Sequence, residues 1–269
     1  MNNVLLSKEK EYRPKIIMSN IIPKIVAIGG GDIRTKSTLS IDRAIIRLTN
    51  KSHPHFLFIP TASSDNQQYA ESIQKYYKQL GCTTNVLYLL NKPFSFKETA
   101  QKIEKADIIY VGGGNTLKMM RLWHHLGINT LLKAAWRNGT VLCGISAGAI
   151  CWFTSGHSDS MSFYNPKKWK YLNVKGLNLQ KGIFCPHYND QTLGIPRKKH
   201  FEKMIAKKRG LGLAVDNNCA ITIIGDTYSI LTSKKDAHAY RVLVRNGKVI
   251  SEQIPPKNTT QPLSQLYTK

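Results

Sequence analysis

The sequence has few cysteines, and their arrangement gives no sign of pairing. Their number is odd, no two form a C-x-x-C pair, and three of them stand in apolar runs: Cys82, Cys143, Cys151, Cys185 and Cys219. A disulfide framework or a zinc site is therefore not expected. The pattern is typical of unpaired thiols in a reducing compartment, so we predict a cytoplasmic protein.

Long hydrophobic runs are also absent. The longest apolar stretches have the length of β-strands and are too short to span a membrane. The first twenty residues are polar and contain lysine, without the apolar core of a secretory signal. We predict a flexible arm over residues 1–20, one α/β domain over residues 21–269, and no membrane partner.

Acidic residues are scarce: the sequence has 16 Asp and Glu residues against 39 Lys and Arg residues, which gives a formal net charge of +23. Such a charge is compatible with nucleic-acid contact, with attraction of acidic substrates, or with a solvated basic surface. No helix-turn-helix, zinc-finger or RNA-recognition signature accompanies the basic runs. We therefore expect solvated helix faces and no dedicated nucleic-acid partner. The basic runs are Lys167-Lys-Trp-Lys170, Arg197-Lys-Lys199 and Lys207-Lys-Arg209.

Two glycine-rich loops lack the spacing of phosphate-binding motifs. Neither Gly29-Gly-Gly31 nor Gly112-Gly-Gly114 matches G-x-G-x-x-G or G-x-x-x-x-G-K-[ST]. We expect no nucleotide, no other organic cofactor and no metal. A backbone N–H of Gly113 or Gly114 could instead donate to a developing oxyanion.

Apolar β-type runs alternate with helical patterns from Lys24 onward. This alternation predicts a doubly wound, mostly parallel sheet. From Gly210 shorter β-type runs and turn signals predict an antiparallel C-terminal extension. Because ligand sites in such sheets lie at the carboxyl ends of the strands, both glycine loops and Ser146 should meet at one edge.

The most informative motif is Gly144-Ile-Ser146-Ala-Gly148. It follows an apolar run and precedes helix-forming residues 149–153, which is the strand–turn–helix context of a nucleophile elbow. The glycines would permit the tight turn that projects the Ser146 hydroxyl, and the Ala147 N–H could stabilise an oxyanion. An ordinary tight turn between strand and helix is the alternative.

A serine hydroxyl needs a base, and a carboxylate usually orients that base. His187 follows an apolar run at an expected strand end, so we predict that it is the base. Asp216 also ends an apolar run and is the favoured orienting group. Asp159, in the loop after the elbow, is the second candidate. Turn capping is the structural alternative for both aspartates.

These residues resemble peptidase family S51, which includes peptidase E and cyanophycinase. The resemblance rests on Val111-Gly-Gly-Gly-Asn-Thr116, Gly144-Ile-Ser-Ala-Gly-Ala149 and Pro186-His-Tyr188, in that order. It implies a fold related to class I glutamine amidotransferases. It also implies a serine nucleophile at Ser146, a histidine at His187 and an acidic residue at Asp216.

The same resemblance implies substrate-binding residues. Peptidase E removes N-terminal aspartate from dipeptides, and a basic residue that would hold this aspartate falls near Arg197, Lys198 or Lys199. Asp159 could then bind the substrate α-amino group if Asp216 orients the histidine. Asn115, in the second glycine motif, is a further candidate contact.

The sequence as a whole predicts a serine peptidase that acts on short peptides through an acyl-enzyme, as a monomer or homodimer. An α/β-hydrolase esterase is one alternative, and would use Asp216 with His238. A catalytically inactive relative that binds peptides or polyanions is another. A glutamine amidotransferase is excluded because that chemistry uses cysteine where Ser146 stands.

Overall fold

The computed structural model describes residues 21–90, 93–256 and 259–268, so the predicted arm over residues 1–20 lies outside the described residues. An eight-stranded mixed sheet forms its centre. Five strands run parallel: β1 (Lys24–Ile28), β2 (His55–Ile59), β3 (Thr83–Val86), β4 (Ile108–Val111) and β5 (Val141–Ile145). Three further strands pair antiparallel with their neighbours: β12 (Cys219–Ile224), β13 (Thr227–Thr232) and β16 (Gln261–Pro262). The spatial order is β16-β13-β12-β1-β5-β4-β2-β3.

Helices cover both faces of this sheet because the strands alternate buried apolar side chains between the faces. Val26 and Ile28 pack with helices α1 (Leu39–Arg47) and α2 (Gln67–Gln79). Ile25 and Ala27 pack on the opposite face. The helices of that face are α3 (Phe96–Glu104), α4 (Thr116–His125), α5 (Ile128–Arg137) and α6 (Ala147–Ile150).

A second, six-stranded sheet lies beyond the elbow and was not anticipated. Its order is β15-β14-β11-β8-β6-β7. The strands are β6 (Phe153–Ser158), β7 (Leu172–Lys175), β8 (Gln180–Cys185), β11 (Gly212–Val215), β14 (Ala239–Arg245) and β15 (Lys248–Ile254). Helix α7 (Arg197–Lys208) packs on it through Phe201 and Ile205. The expected C-terminal extension is thus divided between two sheets.

A short hairpin and a short helix also belong to the described fold. The hairpin of β9 (Gln191–Thr192) and β10 (Ile195–Pro196) precedes α7, and helix α8 (Leu263–Tyr267) follows β16. The α/β class is confirmed, whereas the grouping with class I glutamine amidotransferases stays a prediction. All five cysteines are buried and unpaired, as predicted. No helix of the described residues has the length and apolarity that crossing a membrane requires.

Candidate active site

Ser146 occupies a sharp turn between β5 and α6. Its backbone has φ 56° and ψ −113°, a conformation close to the first central position of a type II′ turn and one that favours glycine. A Cβ at Gly144 would overlap the carbonyl oxygen of Gly148, and a Cβ at Gly148 would overlap that of Val111. The two glycines therefore allow strand and helix to approach closely enough for the turn to form.

The end of β1 accepts a backbone hydrogen bond from Ser146 and another from His187. The N–H of Ser146 donates to the carbonyl oxygen of Ile28 at 3.1 Å, and the N–H of His187 donates to that of Gly29 at 3.2 Å. These are consecutive peptide carbonyls of one chain segment. The predicted nucleophile and base are thus brought to the same strand end by two neighbouring hydrogen bonds.

The imidazole of His187 is oriented by Asn217. Its Nδ1–H donates to Asn217 Oδ1 at 2.6 Å, and Asn217 Nδ2 donates to Asp190 Oδ2 at 2.9 Å. A Cβ at Gly30 would overlap both Asn217 Oδ1 and the His187 ring. With Nδ1 bearing the proton, Nε2 of His187 is the nitrogen that can accept one.

The surroundings of His187 favour its neutral form. Burial lowers the pKa of His187 below its ordinary value of 6.5, and the charge of Arg197 lowers it further. The hydrogen bond to Asn217 and the charges of Asp159 and Asp190 act in the opposite direction without reversing the shift. A neutral imidazole at neutral pH is the state that a general base requires.

Asp216 does not lie where the sequence predicted it. Its carboxylate accepts the backbone N–H of His238 at 3.0 Å, while the next residue, Asn217, occupies Nδ1 of His187. The structure therefore brings Asn217, and not Asp216, to the histidine. Burial raises the pKa of Asp216, although the His238 N–H opposes this shift.

Asp159 forms an ion pair with Arg197 beside His187. Arg197 Nη2 lies 2.5 Å from Asp159 Oδ2, which also accepts the Thr192 hydroxyl at 3.0 Å. Arg197 is 4 % exposed, so it belongs to no solvated basic face. Its Nη1 is buried and has no hydrogen-bond partner among the described residues. The guanidinium also lies 5.3 Å from the centre of the Tyr171 ring.

The second glycine loop passes next to the elbow. A Cβ at Gly113 would lie 3.4 Å from Cβ of Ser146, and Ala147 is buried directly after the serine. The Tyr69 hydroxyl lies against the Gly113 backbone, and burial raises the pKa of Tyr69 to about 12. Gly113 and Ala147 therefore lie next to Ser146, whereas Gly114 packs against Ala62. The oxyanion roles of Gly113, Gly114 and Ala147 stay predictions.

The remaining predicted substrate-binding residues either form structural hydrogen bonds or are exposed to solvent. Oδ1 of Asn115 caps α4 by accepting the N–H of Lys118, and its Nδ2 donates to the carbonyl of Ser160. Lys198 and Lys199 are exposed on α7, and Lys198 Nζ lies 5.8 Å from the centre of the Tyr188 ring.

The side chains required by the esterase alternative are not brought together. Nδ1 of His238 contacts Nε2 of Gln253 at 3.1 Å, and only the backbone of His238 contacts the Asp216 carboxylate. His187, unlike His238, has its backbone bonded at the end of β1, where Ser146 is also bonded.

Asn217, Asp190 and Thr192 are the contacts that sequence reasoning missed. Asn217 and Thr192 are uncharged and belong to no motif of the sequence, and Asp190 resembles an ordinary loop aspartate. Two of these residues lie close in the sequence to predicted site residues: Asn217 follows Asp216, and Asp190 ends the loop that begins at His187. This closeness was the only indication in the sequence that they could contact the histidine.

The geometry can be compared with known proteins. A family model described as "Peptidase family S51" matches residues 25–231. The chain belongs to this family. The chain is also similar to the "Uncharacterized peptidase YgaJ" of Bacillus subtilis, which is 34% identical over 237 residues, 87% of this chain and 98% of the relative.

Two further comparisons extend this result. A Drosophila melanogaster protein described as "Probable alpha-aspartyl dipeptidase" is 23% identical over 187 residues, 69% of this chain and 75% of that protein. The crystal structure of a peptidase from an acI-B1 Actinobacterium superposes with a TM-score of 0.66 at 18% identity, over 90% of this S51 chain and 97% of the other. The superposition establishes a shared fold.

Proposed function

We propose that this S51 peptidase is a serine peptidase in which Ser146 is the nucleophile and His187 the general base. The observation that carries the proposal is the pair of hydrogen bonds from these two residues to the consecutive carbonyls of Ile28 and Gly29. These bonds hold both backbones at the end of one strand, which supports the fixed positioning that nucleophilic catalysis needs.

The proposed reaction is an acyl transfer. Nε2 of His187 takes the proton of the Ser146 hydroxyl as its oxygen attacks the scissile carbonyl. The N–H of Ala147, with that of Gly113 or Gly114, stabilises the oxyanion. The imidazolium then gives its proton to the leaving amine, and water repeats the sequence to release the acyl group. Asn217 keeps Nδ1 protonated throughout.

We further propose that the substrate is a short peptide with an acidic N-terminal residue. The buried Nη1 of Arg197 is an unpaired donor beside His187, and a substrate carboxylate would satisfy it. Asp159 would attract the α-amino group. The relative described as an alpha-aspartyl dipeptidase supports this specificity. A cytoplasmic monomer or homodimer is the expected form of the protein.

The test is hydrolysis of matched dipeptides by the protein and by Ser146→Ala. Asp-Xaa, Asn-Xaa, Glu-Xaa and Ala-Xaa substrates share one leaving residue, so they differ only in the acyl side chain. We expect cleavage of Asp-Xaa and a loss of at least about 1,000-fold in Ser146→Ala. Cleavage of neutral dipeptides at equal rates would retain the mechanism and reject the specificity.

A fluorophosphonate probe separates the mechanism from the substrate. We expect labelling of Ser146 that is lost in Ser146→Ala and in His187→Gln, with His238→Gln as the matched control that retains it. Labelling that depends on His238 would favour the esterase. Absence of labelling, together with salt-sensitive binding of polyanions, would favour the inactive binding protein.

A further inference from the structure

The carboxylate of Asp190 lies behind Asn217, on the side of its amide away from His187. Asn217 Nδ2 donates to Asp190 Oδ2 at 2.9 Å, while Oδ1 of the same amide accepts Nδ1–H of His187 at 2.6 Å. One loop supplies both partners, since the Asp190 N–H donates to the His187 carbonyl at 3.0 Å. The Asn217 amide is thus held at its two ends by residues of the same short loop.

The orientation of this amide decides which nitrogen of His187 carries the proton. An asparagine amide has nearly the same shape after a half-turn that exchanges oxygen and nitrogen. With Oδ1 toward the ring, Nδ1 donates and Nε2 is left to accept the serine proton. With Nδ2 toward the ring, Nδ1 must accept, so the ring proton moves to Nε2 and the base is lost.

An ionised carboxylate accepts hydrogen bonds and cannot donate them, so Asp190 can pair only with the Nδ2 end of the amide. Partial loss of hydration opposes ionisation of Asp190, but the Gln191 N–H, the Asn217 amide and the charges of His187 and Arg197 hold its pKa below the ordinary value of 3.8. Asp190 is therefore ionised at neutral pH. The wrong amide orientation would place oxygen against oxygen.

We propose that Asp190 is a positioning residue that selects the Nδ1–H tautomer of His187 by fixing the orientation of the Asn217 amide. The inference rests on the proposed function for its catalytic consequence and on the hydrogen bonds alone for the tautomer. Asp190 is solvent-exposed, so solvent screens its charge. Its charge acts weakly on the pKa of His187, and only the hydrogen bond through the amide distinguishes one tautomer of the ring from the other.

The first measurement is the tautomer itself, from ring-nitrogen chemical shifts of protein labelled with ¹⁵N-histidine. The His187 signal is assigned by its loss in His187→Gln. We expect the Nδ1–H form in the unchanged protein and a substantial Nε2–H fraction in Asp190→Ala. Asp236→Ala, at an exposed loop position, is the control that leaves the spectrum of His187 unchanged. An unaltered tautomer in Asp190→Ala would overturn the proposal.

The second measurement exchanges the two side chains. In Asp190→Asn/Asn217→Asp a carboxylate would face His187 directly, and the new asparagine could donate to it. We expect kcat to fall by about 100-fold in Asp190→Ala and to recover to within about 10-fold of the original in the exchange variant, because the correct tautomer is restored. Asn217→Asp alone would place two carboxylates together, so we expect no recovery of kcat in this variant.

These experiments distinguish failure of the proposed role of Asp190 from failure of the proposed peptidase function. If Asp190 only stabilises its loop through the Gln191 N–H, then the exchange will not restore activity, and the tautomer will stay unchanged in Asp190→Ala. If no peptide or fluorophosphonate reacts with the original protein, the proposed function fails, while the nitrogen shifts still report whether Asp190 fixes the amide. Retained kcat in Asp190→Ala would reject the catalytic consequence alone.

Discussion

Arg197 Nη2 lies 2.5 Å from Asp159 Oδ2, and the two side chains are 5% and 18% exposed. The pair joins the start of α7 to the segment after β6, next to His187. Because only one end of the guanidinium is used by Asp159, the other end, Nη1, remains a buried donor without a partner among the described residues. A ligand that supplies an acceptor there would complete the hydrogen bonding of Arg197.

The Arg197→Lys variant tests this role in specificity. Lysine keeps the charge for Asp159 but loses the second donor of the guanidinium. We expect kcat/KM for Asp-Xaa to fall by about 10- to 100-fold, the equivalent of one hydrogen bond to a charged group, with little change for Ala-Xaa. Lys199→Ala, at an exposed site on the same helix, should leave both values unchanged. An unchanged ratio of Asp-Xaa to Ala-Xaa would contradict the assignment.

Asp216 should contribute to stability and little to catalysis. Its carboxylate accepts the His238 N–H, and an amide oxygen in Asp216→Asn can do the same. We expect kcat/KM in Asp216→Asn to stay within about 5-fold of the original. In Asp216→Ala the N–H loses its acceptor, so the free energy of unfolding should fall by about 1–3 kcal/mol, measured by urea denaturation. A loss of about 1,000-fold in kcat in Asp216→Asn would restore Asp216 as the orienting group.

The rate of serine modification should depend on pH through His187. The base must be neutral, and because the folded pKa lies below 6.5, the neutral form persists to lower pH than for an unperturbed histidine. We expect the fluorophosphonate labelling rate to rise with pH and to reach half its maximum below pH 6.5. An uncharged probe avoids titration of the substrate. A midpoint above 6.5 would mean that another group limits the rate.

A side chain at Gly30 should disrupt the base without touching the nucleophile. The Cβ of Gly30→Ala would overlap Asn217 Oδ1 and the imidazole of His187. Displacement of catalytic groups by about 1 Å can cost about 100-fold in rate, and we expect kcat to fall by at least that factor. In Gly210→Ala the new Cβ would meet only the Ile183 side chain at 3.4 Å. Equal activity in the two variants would contradict the described packing.

The sequence predicted the site residues that lie directly after buried β-strands, because functional residues commonly occupy strand ends in α/β folds. Ser146 follows β5 of the eight-stranded sheet, where the rule that ligand sites lie at the carboxyl ends of the strands applies. His187 also follows a buried strand, but that strand, β8, belongs to the second sheet. The choice between Asp216 and Asn217 depends on which of two adjacent side chains turns toward the histidine. A one-residue difference in register reverses that choice, and no periodicity in the sequence determines it.

The second sheet was missed for a related reason. Residues after the elbow have small and apolar side chains that suit a helix, and the helix was expected to continue to Phe153. The structure ends α6 at Ile150 and begins β6 at Phe153. Pairing of β6 with β7 and β8 outweighs local propensity there, and such pairing joins segments that a local pattern does not connect.

The attachment of Ser146 and His187 to neighbouring peptide groups of one segment has a consequence for how the enzyme fails on heating. Both backbones are bonded to the end of β1, which lies between β5 and β12 within the eight-stranded sheet, while His187 itself follows β8 of the six-stranded sheet. Loss of activity should therefore accompany the unfolding of either sheet. The temperature of inactivation and the midpoint of thermal unfolding should coincide.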